Sequence, residues 1–202
     1  MNVQRLGIYG GSFDPVHLGH LLVARAALEE LALDRLFFVP AAQSPFKPDH
    51  QPAPGAVRLR LLRLALAGQP RCEVDGQEIL RGGISYTVDT LRAYAGRFPG
   101  AKLFYLIGAD NAAMLGGWRE PEALAALAEF VVVPRPGGVP AVFPPSFRGQ
   151  ALKGFPFDVS SSAIRARLRA GLPVTHLVPA AVAGALDGVE NYQPAANGEK
   201  FT

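Results

Sequence analysis

Short runs of aliphatic and aromatic residues alternate along this chain with longer stretches in which apolar residues recur every three or four positions. Arg5 to Tyr9, Leu36 to Pro40, Lys102 to Ile107 and Phe130 to Pro134 are predicted strands, and their near-continuous apolar character suits strands buried on both faces. Between and after them, Pro15 to Leu33, Val57 to Ala67, Tyr86 to Phe98, Glu122 to Ala128 and Ser162 to Ala170 carry the helical period. The first helix gathers Leu21, Leu22, Leu28 and Leu31 on one side. The second is studded with arginines and reads as a core helix with a solvated face, and Ser85 is placed to cap the third. Alternation of this kind predicts an α/β architecture, a doubly wound parallel sheet whose crossover helices cover both faces, followed by a small helical C-terminal portion.

Length and composition narrow the partners. With 202 residues, 49% hydrophobic and 18% charged, the chain is too apolar to be disordered. One domain over 1–202 is expected, with a core at 1–150, a helical part at 151–190 and a flexible tail at 191–202. Twenty Lys+Arg against 17 Asp+Glu leave a net charge of +3, too small for an extended nucleic-acid footprint. Cys72 is the single cysteine, which excludes an intramolecular disulfide and a cysteine-based zinc site. No segment has the roughly 20 apolar residues that span a bilayer, and no signal peptide is recognisable. The expectation is a soluble cytoplasmic protein without nucleic acid or membrane as partner; monomer and small homo-oligomer both remain open.

In open α/β sheets ligands sit beyond the carboxyl ends of the strands, and here each predicted strand runs into an unusual loop. The first ends in Gly10-Gly11-Ser12-Phe13-Asp14-Pro15, the second leads to SPFKP at 44 to 48, the third to Gly108-Ala109-Asp110 and the last to Pro134-Arg135-Pro136. Gly10 and Gly11 let the backbone approach a ligand, and Asp14-Pro15 suits an N-cap and first helical position. His17 and His20, three apart, share one face at a helix start, where free N–H groups attract anions. This is a cradle for a polyphosphate, and Gly19 removes a side chain where a flat base or ribose could lie. A second serine-rich helix start, Asp158 to Arg165, offers another anion site.

These strings resemble the HxGH-containing nucleotidyltransferases and, within them, the bacterial nicotinate mononucleotide adenylyltransferases. GGSFDPVHLGHL at 10 to 21 and SSSAIRARL at 160 to 168 carry the wider resemblance. SYTVDTL at 85 to 91 and GADNAAMLGGW at 108 to 118 narrow it to the pyridine nucleotide branch. The resemblance implies a Rossmann-like nucleotidyltransferase fold and transfer of the adenylyl group of ATP to nicotinate mononucleotide. The products would be deamido-NAD and pyrophosphate, formed by in-line displacement without a covalent intermediate. An ionised phosphate oxygen is the nucleophile, so holding anions in line and neutralising shifting charge would dominate the catalysis.

By the same resemblance, His17, His20, Lys47 and Arg165 carry the catalysis. Gly10, Gly11, Gly108, Asp110, Arg135, Ser161 and Ser162 join the two histidines and Arg165 in binding ATP. Ser12, the Phe13 backbone and Lys47 hold the mononucleotide phosphate. Tyr86, Thr87 and Trp118 take the nicotinate, with the indole stacked on its ring; Arg119, which the family pattern does not supply, either strengthens attraction to the carboxylate or is a solvated arginine. No dedicated metal ligands are implied; Mg²⁺ would arrive on ATP. Two positions depart from the family pattern: Phe46 where many relatives have histidine, and Arg119 where they have an aromatic residue. Two other functions fit parts of the pattern. One is an HxGH adenylyltransferase acting on phosphopantetheine or nicotinamide mononucleotide, and the other is a non-catalytic nucleotide sensor.

Overall fold

The computed structural model describes residues 4–46, 51–134, 141–155, 157–187 and 189–193. Six parallel strands, β1 (Arg5–Gly11), β2 (Arg35–Pro40), β3 (Cys72–Val74), β4 (Lys102–Gly108), β5 (Glu129–Val133) and β6 (Gly149–Ala151), form one sheet in the order β3-β2-β1-β4-β5-β6. The helices are α1 (Leu18–Glu30), α2 (Gly55–Ala65), α3 (Gln77–Arg81), α4 (Thr87–Arg97), α5 (Ala109–Ala112), α6 (Pro121–Leu127), α7 (Ser161–Arg169) and α8 (Ala180–Leu186), with 3₁₀ turns at Leu115–Gly117 and Glu190–Tyr192. Strand order reverses between β1 and β4, which makes their carboxyl ends the topological switch point of a doubly wound sheet.

Alternation within single strands explains why the strands read as unbroken apolar runs. In β2, Leu36 and Phe38 enter one core cluster while Phe37 and Val39 enter the other. In β4, Phe104 and Leu106 take the first side, and Leu103, Tyr105 and Ile107 the second. The first cluster packs against α1, α2, α7 and α8, the second against α4, α5 and α6, so neither face of the central strands meets water.

The differences from the sequence expectations have local causes. The edge strands β3 and β6 are three residues each, too short for a period to show. Helix α1 starts at Leu18 with His17 as its extended N-cap residue, because Asp14 is engaged elsewhere: its Oδ1 accepts from the Ala53 N–H at 3.1 Å and the Tyr192 hydroxyl at 2.7 Å. Tyr86, not Ser85, is the N-cap residue of α4, and the Ser85 hydroxyl instead accepts the Ala42 N–H at 2.9 Å. The stretch expected to be a flexible tail opens with an anchored residue, since Tyr192 is buried against that same Asp14. Among the described residues no helix is long and apolar enough to cross a membrane.

Candidate active site

A cleft of about 220 Å³ opens at the switch point, over the carboxyl ends of β1, β2 and β4. Gly10, Gly11, Ser12, Thr87, Gly108 and Trp118 all line it, so residues more than 100 positions apart in the sequence converge there. Gly10 is dictated by packing within the protein: a Cβ there would stand 2.3 Å from the Tyr105 hydroxyl, which lies on the cleft wall and accepts from Thr87 Oγ1 at 3.3 Å. Phe13 is buried with a left-handed φ of 47°, rare for a bulky residue. Its ring is clamped among Tyr9, Phe38 and His20, which sustains the turn that carries the chain from β1 to α1.

The two histidines stand at the start of α1, beside this cleft and not in its lining. Their rings stack with centroids 3.7 Å apart. The His17 N–H donates to His20 Nδ1 at 3.1 Å, which fixes the proton of neutral His20 on Nε2 and leaves that N–H as its donor. Gly19 serves this stack: a Cβ there would lie 3.0 Å from Cε1 and Nδ1 of His17, so His17 itself occupies the space expected to admit a base or ribose. His17 Nδ1 is buried and has no hydrogen-bond partner among the described residues.

Burial lowers the His17 pKa from 6.5 to about 4, and burial together with the neighbouring His17 lowers that of His20. In the free protein both rings are therefore neutral N–H donors at pH 7. Between pH 6.5 and about 4 the unfolded chain binds a proton at His17 that the native state refuses. Stability gained at higher pH is lost as pH falls through that window, by at most about 1.4 kcal/mol per pH unit from this one site. His17→Asn is expected to flatten the pH dependence of the melting temperature between pH 6.5 and 4. A slope equal to that of the wild type would place the titrating group elsewhere.

Helix α7 completes this end of the site from across the chain. The Ser161 hydroxyl donates to the Pro15 carbonyl at 2.9 Å. Arg165 donates to the Asp14 carbonyl at 2.6 Å, lies 3.5 Å from its carboxylate and donates to Ser162 Oγ at 3.2 Å. The GGSFDPVHLGH and SSSAIR segments thus form one unit, with the Arg165 guanidinium held close to the histidine turn.

Opposite them, Tyr86 and Thr87 begin α4, and Arg119 stacks its guanidinium 4.5 Å above the Tyr86 ring. Trp118 meets Phe130 edge-on and carries Phe46 against its face, with centroids 5.1 Å apart. Its indole Nε1 is buried and has no hydrogen-bond partner among the described residues. Asp110 stands exposed in the first turn of α5, next to Gly108 at the end of β4. Lys47 and Arg135 lie outside the described residues.

Three buried polar groups escape a sequence reading. Arg58, assigned above to a solvated face, is 2% exposed, with Nε on the Ala53 carbonyl at 2.8 Å and one terminal nitrogen on the carbonyls of Ser12 at 2.9 Å and Ala41 at 2.8 Å. The signal was present: Leu61, Leu62 and Ala65, at i+3, i+4 and i+7, put Arg58 in the apolar stripe. Glu78, in the cleft wall, and Tyr192, on Asp14, had no such signal.

Comparison with known proteins places this geometry. A cytidylyltransferase-like family model matches residues 8–167. A probable nicotinate-nucleotide adenylyltransferase of Gemmatimonas aurantiaca is 41% identical over 187 residues, covering 89% of this chain and 88% of its own length. One from Opitutus terrae is 38% identical, covering 87% and 91%. The chain belongs to the nicotinate-nucleotide adenylyltransferase family. The fold agrees as well: a nicotinic acid mononucleotide adenylyltransferase of Plasmodium falciparum, solved as a complex with NaAD, superposes with a TM-score of 0.72 at 18% identity, over 91% of this chain and 95% of that one.

Proposed function

We propose that the enzyme joins the 5′-phosphate of nicotinate mononucleotide to the α-phosphorus of ATP, releasing pyrophosphate and forming deamido-NAD in the cytoplasm. The observation that carries this reading is the juxtaposition of two chemically different half-sites. Stacked histidines and Arg165 surround a helix start suited to a polyphosphate, and the adjoining cleft presents Ser12, Thr87 and Trp118 to a second nucleotide.

In this reading ATP lies along the start of α1, with His20 Nε2–H, His17, Ser161, Ser162 and Arg165 on its phosphates. Gly108 and Asp110 hold its ribose, and Arg135 is assigned to the same nucleotide. Ser12, the Phe13 backbone and Lys47 grip the acceptor phosphate so that its oxygen faces the α-phosphorus, opposite the departing pyrophosphate. No general base is required, because that oxygen is ionised at pH 7. The rate enhancement comes from alignment and from donors aimed at the transferring group. Among the described residues no group of three or more His, Cys, Asp or Glu could hold a metal ion. In this reading Mg²⁺ arrives on ATP and would neutralise phosphate charge.

Nicotinate stacks on Trp118 with its carboxylate toward Tyr86, Thr87 and Arg119. A carboxylate accepts from N–H donors where the nitrogen of an amide cannot, so the acid is the preferred acceptor. Phe46 covers the indole in the free enzyme, and the nicotinate ring reaches that face by displacing it. The test is acceptor-dependent pyrophosphate release from ATP and Mg²⁺ with nicotinate mononucleotide, nicotinamide mononucleotide or phosphopantetheine. Release is expected to be fastest with the first, and release with none of them would favour a nucleotide sensor. Trp118→Ala is expected to raise KM for nicotinate mononucleotide about tenfold or more, since a stacked ring contributes roughly 1–3 kcal/mol. An unchanged KM would move the ring elsewhere.

A further inference from the structure

Glu78 is a carboxyl-bearing residue, 4% exposed, in the wall of the cleft, on the short helix α3. Burying a carboxylate is costly, and a residue needed only to pack α3 against its neighbours would be apolar. Its partners show what the carboxylate does. Thr90 donates its hydroxyl to Oε1, and the Ser85 hydroxyl lies near enough to draw the carboxyl pKa down. Both partners are buried. A hydroxyl has one proton to give and two lone pairs, so Ser85 can donate to Glu78 while accepting the Ala42 N–H at 2.9 Å. The Ser85 N–H donates in turn to the Gln43 carbonyl at 2.9 Å.

This arrangement spans two elements that line the cleft. Ser85 and Thr90 bracket Tyr86 and Thr87 at the start of α4, and Ala42 and Gln43 begin the loop after β2 that leads to Phe46 and Lys47. One carboxylate thus ties together both walls assigned to the acceptor, in a direction-specific network that apolar packing could not supply. Burial raises the Glu78 pKa above the usual carboxylate range, and the neighbouring hydroxyls draw it only part of the way back.

The geometry points to Glu78 as a positioning residue for the acceptor, a buried brace that fixes the Ser85–Thr87 segment against the loop after β2 and so sets affinity for the pyridine mononucleotide without touching the reacting atoms. This rests on the assignment of the cleft to the acceptor. Glu78→Ala, Glu78→Gln, Ser85→Ala and Trp118→Ala are compared by steady-state kinetics in both substrates, with thermal melting as a check on folding.

Glu78→Ala is expected to raise KM for nicotinate mononucleotide at least tenfold while KM for ATP and kcat stay within about twofold. Glu78→Gln keeps an acceptor oxygen for one hydroxyl and should fall between. Ser85→Ala should shift the same ratio of KM values, and combining it with Glu78→Ala should add less than the product of the two effects. A merely structural residue would lower the melting temperature with no change in that ratio. If Glu78→Ala does not fold, Glu78→Gln and Ser85→Ala decide by the same ratio. An unchanged acceptor KM in these variants beside a raised one in Trp118→Ala overturns the role of Glu78 alone. Acceptor KM unchanged in all four overturns the cleft assignment with it, and KM values for both substrates rising together also refute the brace.

Discussion

Replacing His20 with alanine is expected to lower kcat by about a hundred- to a thousandfold, the usual effect of deleting one preorganised donor aimed at developing charge. The geometry gives reasons for an effect of that size. His20 Nδ1 is occupied by the His17 N–H, so its Nε2–H is the donor, and the ring is pinned by His17, Phe13 and Tyr9. Such a donor needs little reorganisation when the phosphoryl group transfers. His20→Ala leaves the fold in place because the ring is half-buried and packs at the edge of the aromatic cluster. His20→Gln, which returns an N–H at the end of a flexible chain, should recover part of the loss. Single-turnover rates at saturating ATP and acceptor would measure both, and a rate within a few-fold of the wild type would remove His20 from the transition state.

The lowered histidine pKa values add a signature to the same site. A polyphosphate beside two neutral imidazoles favours their protonation, so ATP binding and proton uptake are coupled. ATP affinity should therefore strengthen as pH falls from 8 toward 6, and in His20→Ala that dependence should weaken.

Much of this was legible in the sequence because it is local. The strands declare themselves through apolar runs, and each strand end carries its glycine, serine or aspartate within a few residues, so the sequence alone puts GGSFDP, GAD and the HxGH turn at the ends of strands. The cross-links between distant segments were not legible. Asp14 looked like a helix cap when read against Pro15, but in the fold it receives Tyr192, 178 residues away, and Arg165, 151 residues away. Glycine at 19 suggested room for a ligand, whereas the space is filled by a side chain two residues earlier. Local reasoning assigns a polar residue its nearest plausible task, and long-range contacts reassign it. Arg58 is the clearest instance.

Arg58→Met is the substitution with the largest expected effect on stability. The guanidinium is buried and donates to the carbonyls of Ala53, Ser12 and Ala41, which follow three different turns of the chain. Methionine fills much of the volume but satisfies none of these acceptors, and it removes one of the cations near the buried Asp14, leaving Arg165. Each buried group left unpaired costs roughly 1–3 kcal/mol, and breaking a buried charge network about 3–5 kcal/mol. A loss near the upper figure is a large share of the 5–15 kcal/mol typical of a folded domain. For a chain of this length it corresponds to a fall in Tm of roughly 10–15 °C. Arg58→Lys, with a single compact charge, should recover the ion but not the fork, and so should fall between. Because Ser12 and Ala41 directly follow β1 and β2 in the lining of the cleft, the same variant should raise the acceptor KM at temperatures where it remains folded. Melting of Arg58→Met within 3 °C of the wild type would mean that the three carbonyls find other donors.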